Sequence, residues 1–166
     1  MGKSAVMGLT IFAMVLPISV FHITDGGGSL TYVIGLVYAY LRFDLGPWTI
    51  DEFGILEYSG ISGDTSFFSQ DAWENVWGAD DGQTMMILWA ATLALAALGL
   101  LITTFDPKTG GIFVLLAAFS SIGFAIVGYL ALDDMWSGYD VSIYPIPIAA
   151  LFYLIAGIMG LRTEEF

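Results

Sequence analysis

Four stretches of this chain contain no Asp, Glu, Lys, Arg or His, and each approaches the length of a membrane crossing. They are residues 4–21 (SAVMGLTIFAMVLPISVF), 84–105, 112–132 and 143–161. About 20 apolar residues in a helix cross a hydrocarbon core ~30 Å thick. Charged residues make up 12% of the 166, and mean hydropathy is +0.81. A soluble domain usually carries about 25% charged residues. The expected fold is therefore a membrane all-α four-helix transmembrane bundle, forming a single domain over 1–166. Pro17 and the pair Pro145 and Pro147 blur the ends of the first and fourth runs, because proline removes a backbone donor. The first run is expected to be a retained span and not a cleaved leader.

The topology depends on residues 22–43, HITDGGGSLTYVIGLVYAYLRF. Three glycines at 26–28 break a helix continuing from the first span, and residues 30–43 are rich in Tyr, Val and Ile, which suit a pleated surface. We assign 30–43 as an external strand in preference to a short or re-entrant helix. Lys3, Lys108 and Arg162 then share one side, cytoplasmic by the positive-inside rule. The expected product is a multi-pass plasma-membrane protein with both termini cytoplasmic. A fifth crossing would put Lys3 and Lys108 on opposite faces. Without it, the outer segment 22–83 holds ten acids against Arg42, and the loop 133–142 adds Asp133, Asp134 and Asp140. The inner charges cancel, so the whole net charge of −12 faces outward.

Segment 22–83 has enough aromatic residues for a small extracellular β-containing cap between the first two helices. Gly46-Pro47 and Gly54, Gly60 and Gly63 punctuate it as turns. Ser69 is placed to cap a short helix over 69–77, where Trp73 and Trp77 share a face at i, i+4. Trp48, Trp73 and Trp77 are the expected core of the cap.

Few residues carry chemistry. His22 is the sole histidine and a candidate haem or chlorophyll ligand, more commonly a polar interface anchor. Asp80, Asp81, Asp133 and Asp134 are candidate Ca²⁺ ligands, since that ion takes carboxylate and carbonyl oxygens. The alternative is a solvated acidic surface. No ionisable group lies within the spans, which argues against ion-coupled transport and intramembrane hydrolysis. Thr92, Ser120, Ser121 and Tyr153 are expected to bond their own helix or a neighbour. Small residues recur at three and four: Ala90, Ala94 and Ala97; Ala118, Ser121, Ala125 and Gly128; Ala156 and Gly160. Such stripes allow close helix approach, and a surplus stripe would serve contacts between copies. There is no cysteine, which excludes disulfides. No cofactor is expected beyond structural Ca²⁺ or lipid, and no nucleic-acid partner.

The order of elements is span, long outer segment with strands and a short helix, span, tight inner turn, span, short loop, span. It resembles the claudin and peripheral myelin protein superfamily. Claudins carry Trp…Gly-Leu-Trp…Cys…Cys in the outer segment; this chain has Trp48, Trp73 and Trp77 but neither Gly-Leu-Trp nor cysteine. The resemblance implies side-by-side assembly and adhesion, with no residue role carried over. The leading expectation is a non-enzymatic membrane protein whose acidic outer domain mediates self-assembly, surface contact or adhesion. An accessory subunit of a respiratory or photosynthetic complex is the second, and an oligomeric cation channel the third.

Overall fold

The computed structural model describes residues 2–24, 29–35, 40–45, 48–54, 74 and 77–163. The chain runs α1 (Lys3–Val15), β1 (Pro17–Thr24), β2 (Ser29–Gly35), β3 (Tyr40–Leu45) and β4 (Trp48–Gly54). It continues through α2 (Ala79–Thr103), α3 (Pro107–Met135), β5 (Ser142–Ile146) and α4 (Ile148–Leu161).

Local chemistry explains the boundaries. Leu16 is extended (φ −70°, ψ 157°), as the residue before a proline prefers, so α1 stops and β1 starts at Pro17. In the turn between α2 and α3, Asp106 caps α3. Its carboxylate accepts from the backbone N–H of Lys108 (2.9 Å) and Thr109 (3.2 Å), and Pro107 occupies the first turn, where no donor is needed. At ~1.5 Å per residue, α2 and α3 extend about 37 and 43 Å, whereas α1 and α4 reach only about 20 and 21 Å.

The all-α four-helix transmembrane bundle is overturned. Of the four helices bounded above, α2 and α3 are long and apolar enough to cross a membrane; α1 has 13 residues and α4 has 14. The run 4–21 is helix to Val15 and strand from Pro17, and the run 143–161 begins as β5. Hydropathy counts apolar residues without regard to conformation, so a helix joined to a strand passed for one span. The cap is corrected with it. The sheet has five antiparallel strands in the order β4-β3-β2-β1-β5 and is not confined to the segment between two helices. Its edge strand β5 comes from the far end of the chain. The single strand expected at 30–43 is two, β2 and β3, paired antiparallel through Tyr32 with Arg42 and Leu30 with Asp44. Of the helix expected at 69–77, Glu74 and Trp77 are helical; the remainder lies outside the described residues.

Packing follows side-chain size. α3 lies against α2 on one side and α4 on the other, and α1 packs on α4. Glycines set the spacing at the crossings. A Cβ on Gly111 would lie 2.8 Å from the Gly157 carbonyl oxygen and 3.0 Å from the Gly160 Cα; one on Gly110 would meet Thr103 and Gly99 in the same way. The sheet is held by rings. Phe21 of β1 meets Trp77 edge-on (centroids 5.2 Å apart), and both meet Phe124 of α3 at 6.4 and 6.3 Å. All three are buried.

Candidate functional site

Two features of the surface bear on function: where its charges lie and what covers the rest. The turn Thr104–Asp106, the start of α1 and the end of α4 meet at one end. Lys3 donates from Nζ to the Thr104 carbonyl oxygen, and Gly160 of α4 sits against Gly111 of α3. Lys3, Lys108 and Arg162 are therefore neighbours in the fold although far apart in sequence. Asp106 shares that end, with its carboxyl held below the ordinary 3.8, first by the Thr109 hydroxyl and then by the Thr109 backbone N–H. The opposite end carries Asp81 at the start of α2, exposed Asp133 and Asp134 in the last turn of α3, and exposed Asp140 after it.

Between the two ends the helices are apolar outside as well as inside. Ile87 and Leu98 on α2, Phe119 (62% exposed) and Ile126 on α3, Leu151 and Ile155 on α4 and Phe12 on α1 all face outward. A soluble bundle would show polar residues there. Small residues are inside instead. Ala118, Ser121, Ala125 and Gly128 of α3 and Ala156 and Gly160 of α4 are buried. The third stripe differs, since Ala90, Ala94 and Ala97 face outward along α2, whose buried side runs through Met85, Trp89, Thr92 and Ala96.

Among the described residues, the buried side-chain polar groups are bonded, with Tyr153 the exception. The Thr92 hydroxyl donates to Leu88 O (2.8 Å) and makes a 2.9 Å bond with Ser120, joining α2 to α3. Ser121 donates from Oγ to Ile18 O of β1 at 3.2 Å. The buried Tyr153 hydroxyl has no partner.

His22 is half-buried in β1, opposite Thr31 and Tyr144 in register, with its ring tilted 30° to that of Tyr144 at 6.5 Å. Among the described residues no three His, Asp or Glu side chains gather as metal ligands. Asp81 lies on α2 and the pair Asp133 and Asp134 on α3; the side chain of Asp80 lies outside the described residues. Trp77 is buried at the sheet–helix junction, Trp48 opens β4 opposite Leu45, and Trp73 lies outside the described residues.

Sequence reasoning missed three residues that fasten the sheet: Phe21, Ser19 and Trp89. Trp89 donates from Nε1 to Gly35 O of β2 at 3.1 Å, and Ser19 donates from Oγ to Ile146 O of β5 at 3.4 Å. The signal available was Trp89 itself, a ring with an N–H to satisfy in the middle of an apolar run. Comparison with known protein families, curated proteins and solved structures found no match.

Proposed function

We propose that this is an integral membrane protein acting by contact and not by catalysis. The α2–α3 hairpin crosses the bilayer with its turn on the cytoplasmic side, and α1 and α4 pack on its inner half. The acidic outer end, with the sheet, is the surface that meets partners outside. The observation that carries this is the apolar exterior of the helices, bounded by cations at one end and carboxylates at the other. An apolar surface of that extent in water would drive association, whereas in lipid it is simply solvated. The positive-inside rule is the ground for putting the cation-bearing end in the cytoplasm.

The outward stripe Ala90, Ala94 and Ala97 supports side-by-side assembly of copies, because small residues let a second helix approach closely without a polar group. A neighbouring subunit of a larger complex would use the same stripe, and mass measurement in mild detergent separates the two. A homo-oligomer that Ala94→Trp converts to monomer is the expected result. An unchanged mass for the variant would remove α2 from the interface, and co-purifying foreign subunits would favour the accessory-subunit reading. Sidedness is checked with single thiols read by an impermeant reagent. Asp134→Cys should label in intact cells, and Lys108→Cys only after lysis. The reverse pattern would sink the orientation.

A further inference from the structure

All the helices bring the sheet to one depth. Trp89 lies 14 residues before Thr103, and Ser121 lies 14 residues after Pro107. Each is therefore about 21 Å from the inner end. The 13 residues of α1 and 14 of α4 reach the same level before becoming β1 and β5. Both Trp89 and Ser121 stand well inside the charge-free runs 84–105 and 112–132. A hydrocarbon core of ~30 Å measured from the inner end would extend about 9 Å past that level, or roughly three strand residues.

The margin of the sheet at this level is built as a water-free site requires. Backbone carbonyls at strand ends normally turn to water, and in hydrocarbon they must find partners in the protein. Here three of them do: Ile18 O accepts from Ser121, Gly35 O from Trp89 and Ile146 O from Ser19. Donors are handled by removal. Pro17 opens β1, Pro145 lies in the edge strand β5 and Pro147 follows it directly as the N-cap of α4, so those positions have no N–H to leave unpaired. The exposed side chains of β5 near this margin are Ile146 (49%) and Tyr144 (54%), and the apolar surface runs on from Ile126 and Leu130 of α3.

We infer that the inner margin of the β-sheet is seated in the lipid acyl chains of the outer leaflet: Pro17–Phe21 of β1, Val33–Gly35 of β2 and Tyr144–Ile146 of β5. This rests on the membrane reading above. The proline-blocked β5 edge faces lipid, and the helix side chains replace water as partners for the strand ends. The acidic rim, from Asp140 outward, stands in the aqueous phase. A strand edge with free donors at this depth would instead recruit water or a second chain.

The absence of cysteine makes the test direct. Single thiols are placed at exposed positions Phe119, Tyr144, Ile146 and Asp140, and the full-length protein is reconstituted in phosphatidylcholine vesicles. Each thiol is read twice, by alkylation with a water-soluble maleimide and by quenching of an attached fluorophore with acyl-chain bromolipids. Positions 119 and 146 are expected to alkylate at least tenfold more slowly than 140 and to be quenched, with 144 between them. If 146 reacts as fast as 140 while 119 stays protected, the sheet stands clear of the bilayer and the inference fails, with the membrane reading intact. If 119 also reacts freely, both fall.

Discussion

At the scale of single residues, close contacts and unmet bonds decide most. Gly128 is in contact with the ring that docks the sheet. A Cβ there would lie 2.4 Å from Phe21 Cζ and 2.9 Å from Met85 Cε. Phe21 has no room to yield, because Trp77 and Phe124 hold it from other sides. Gly128→Ala should therefore destabilise by about 1–3 kcal/mol as an overpacked core does. Gly123→Ala, whose nearest neighbour is 3.7 Å away, should be neutral or stabilising by up to about 1 kcal/mol, since glycine weakens a helix interior. Thermal unfolding in detergent compares them, and equal melting temperatures would refute the docking role of Phe21. Tyr153 gives a prediction of opposite sign. Its hydroxyl is buried without a partner, so Tyr153→Phe should hold or raise stability, by up to about 2 kcal/mol; a clear loss would reveal a bond to that oxygen. At the turn between α2 and α3, Asp106 is charged more readily folded than unfolded. Its stabilisation is present above the unfolded value and is lost as pH falls through the lower folded value. Asp106→Ala should therefore melt lower at neutral pH and lose part of the wild-type fall in melting temperature below pH ~4.

At the scale of elements, the sequence was most legible where one signal was unbroken. The runs 84–105 and 112–132 lie within α2 and α3, apart from Thr104 and Phe105 in the turn, because nothing but a helix suits 20 uninterrupted apolar residues bounded by Gly, Pro and charge. The outer runs were misread for a definite reason. Apolar content is shared by buried strands and membrane helices, and only Pro17, Pro145 and Pro147 marked the change from one to the other. Those prolines signalled helix ends, but pairing β1 with β5 takes information from residues about 120 positions apart. The stripes divided similarly. Spacing at three and four located small faces on three helices, yet which face turns inward depends on neighbours, and α2 turns Trp89 and Thr92 inward instead of Ala90 and Ala94. Where small residues do face each other, backbone meets backbone. Gly111→Ala should force α4 off α3, because its obstacles are main-chain atoms at 2.8 and 3.0 Å. A loss of about 2–3 kcal/mol is expected, read as earlier proteolysis of the α4 end; wild-type resistance would contradict that packing.

At the scale of the whole molecule, the described residues sort by polarity along one axis: Lys3, Lys108 and Arg162 at one end, apolar surface along the helices, and Asp81, Asp133, Asp134 and Asp140 with the sheet toward the other. Charge counting says nothing of the sheet, because charge patterning does not depend on conformation. The sheet's strand order has a further consequence, for biogenesis. β1 emerges from the ribosome first among the strands, yet its partner β5 begins at Ser142, near the other terminus. Until then the nascent polypeptide must hold an apolar strand with one side open. A translation product halted at residue 141 should accordingly stay protease-sensitive at β1 and be retained by chaperones, whereas one reaching residue 163 should not; equal resistance in a pulse-chase would mean β1 is secured before its last neighbour is made.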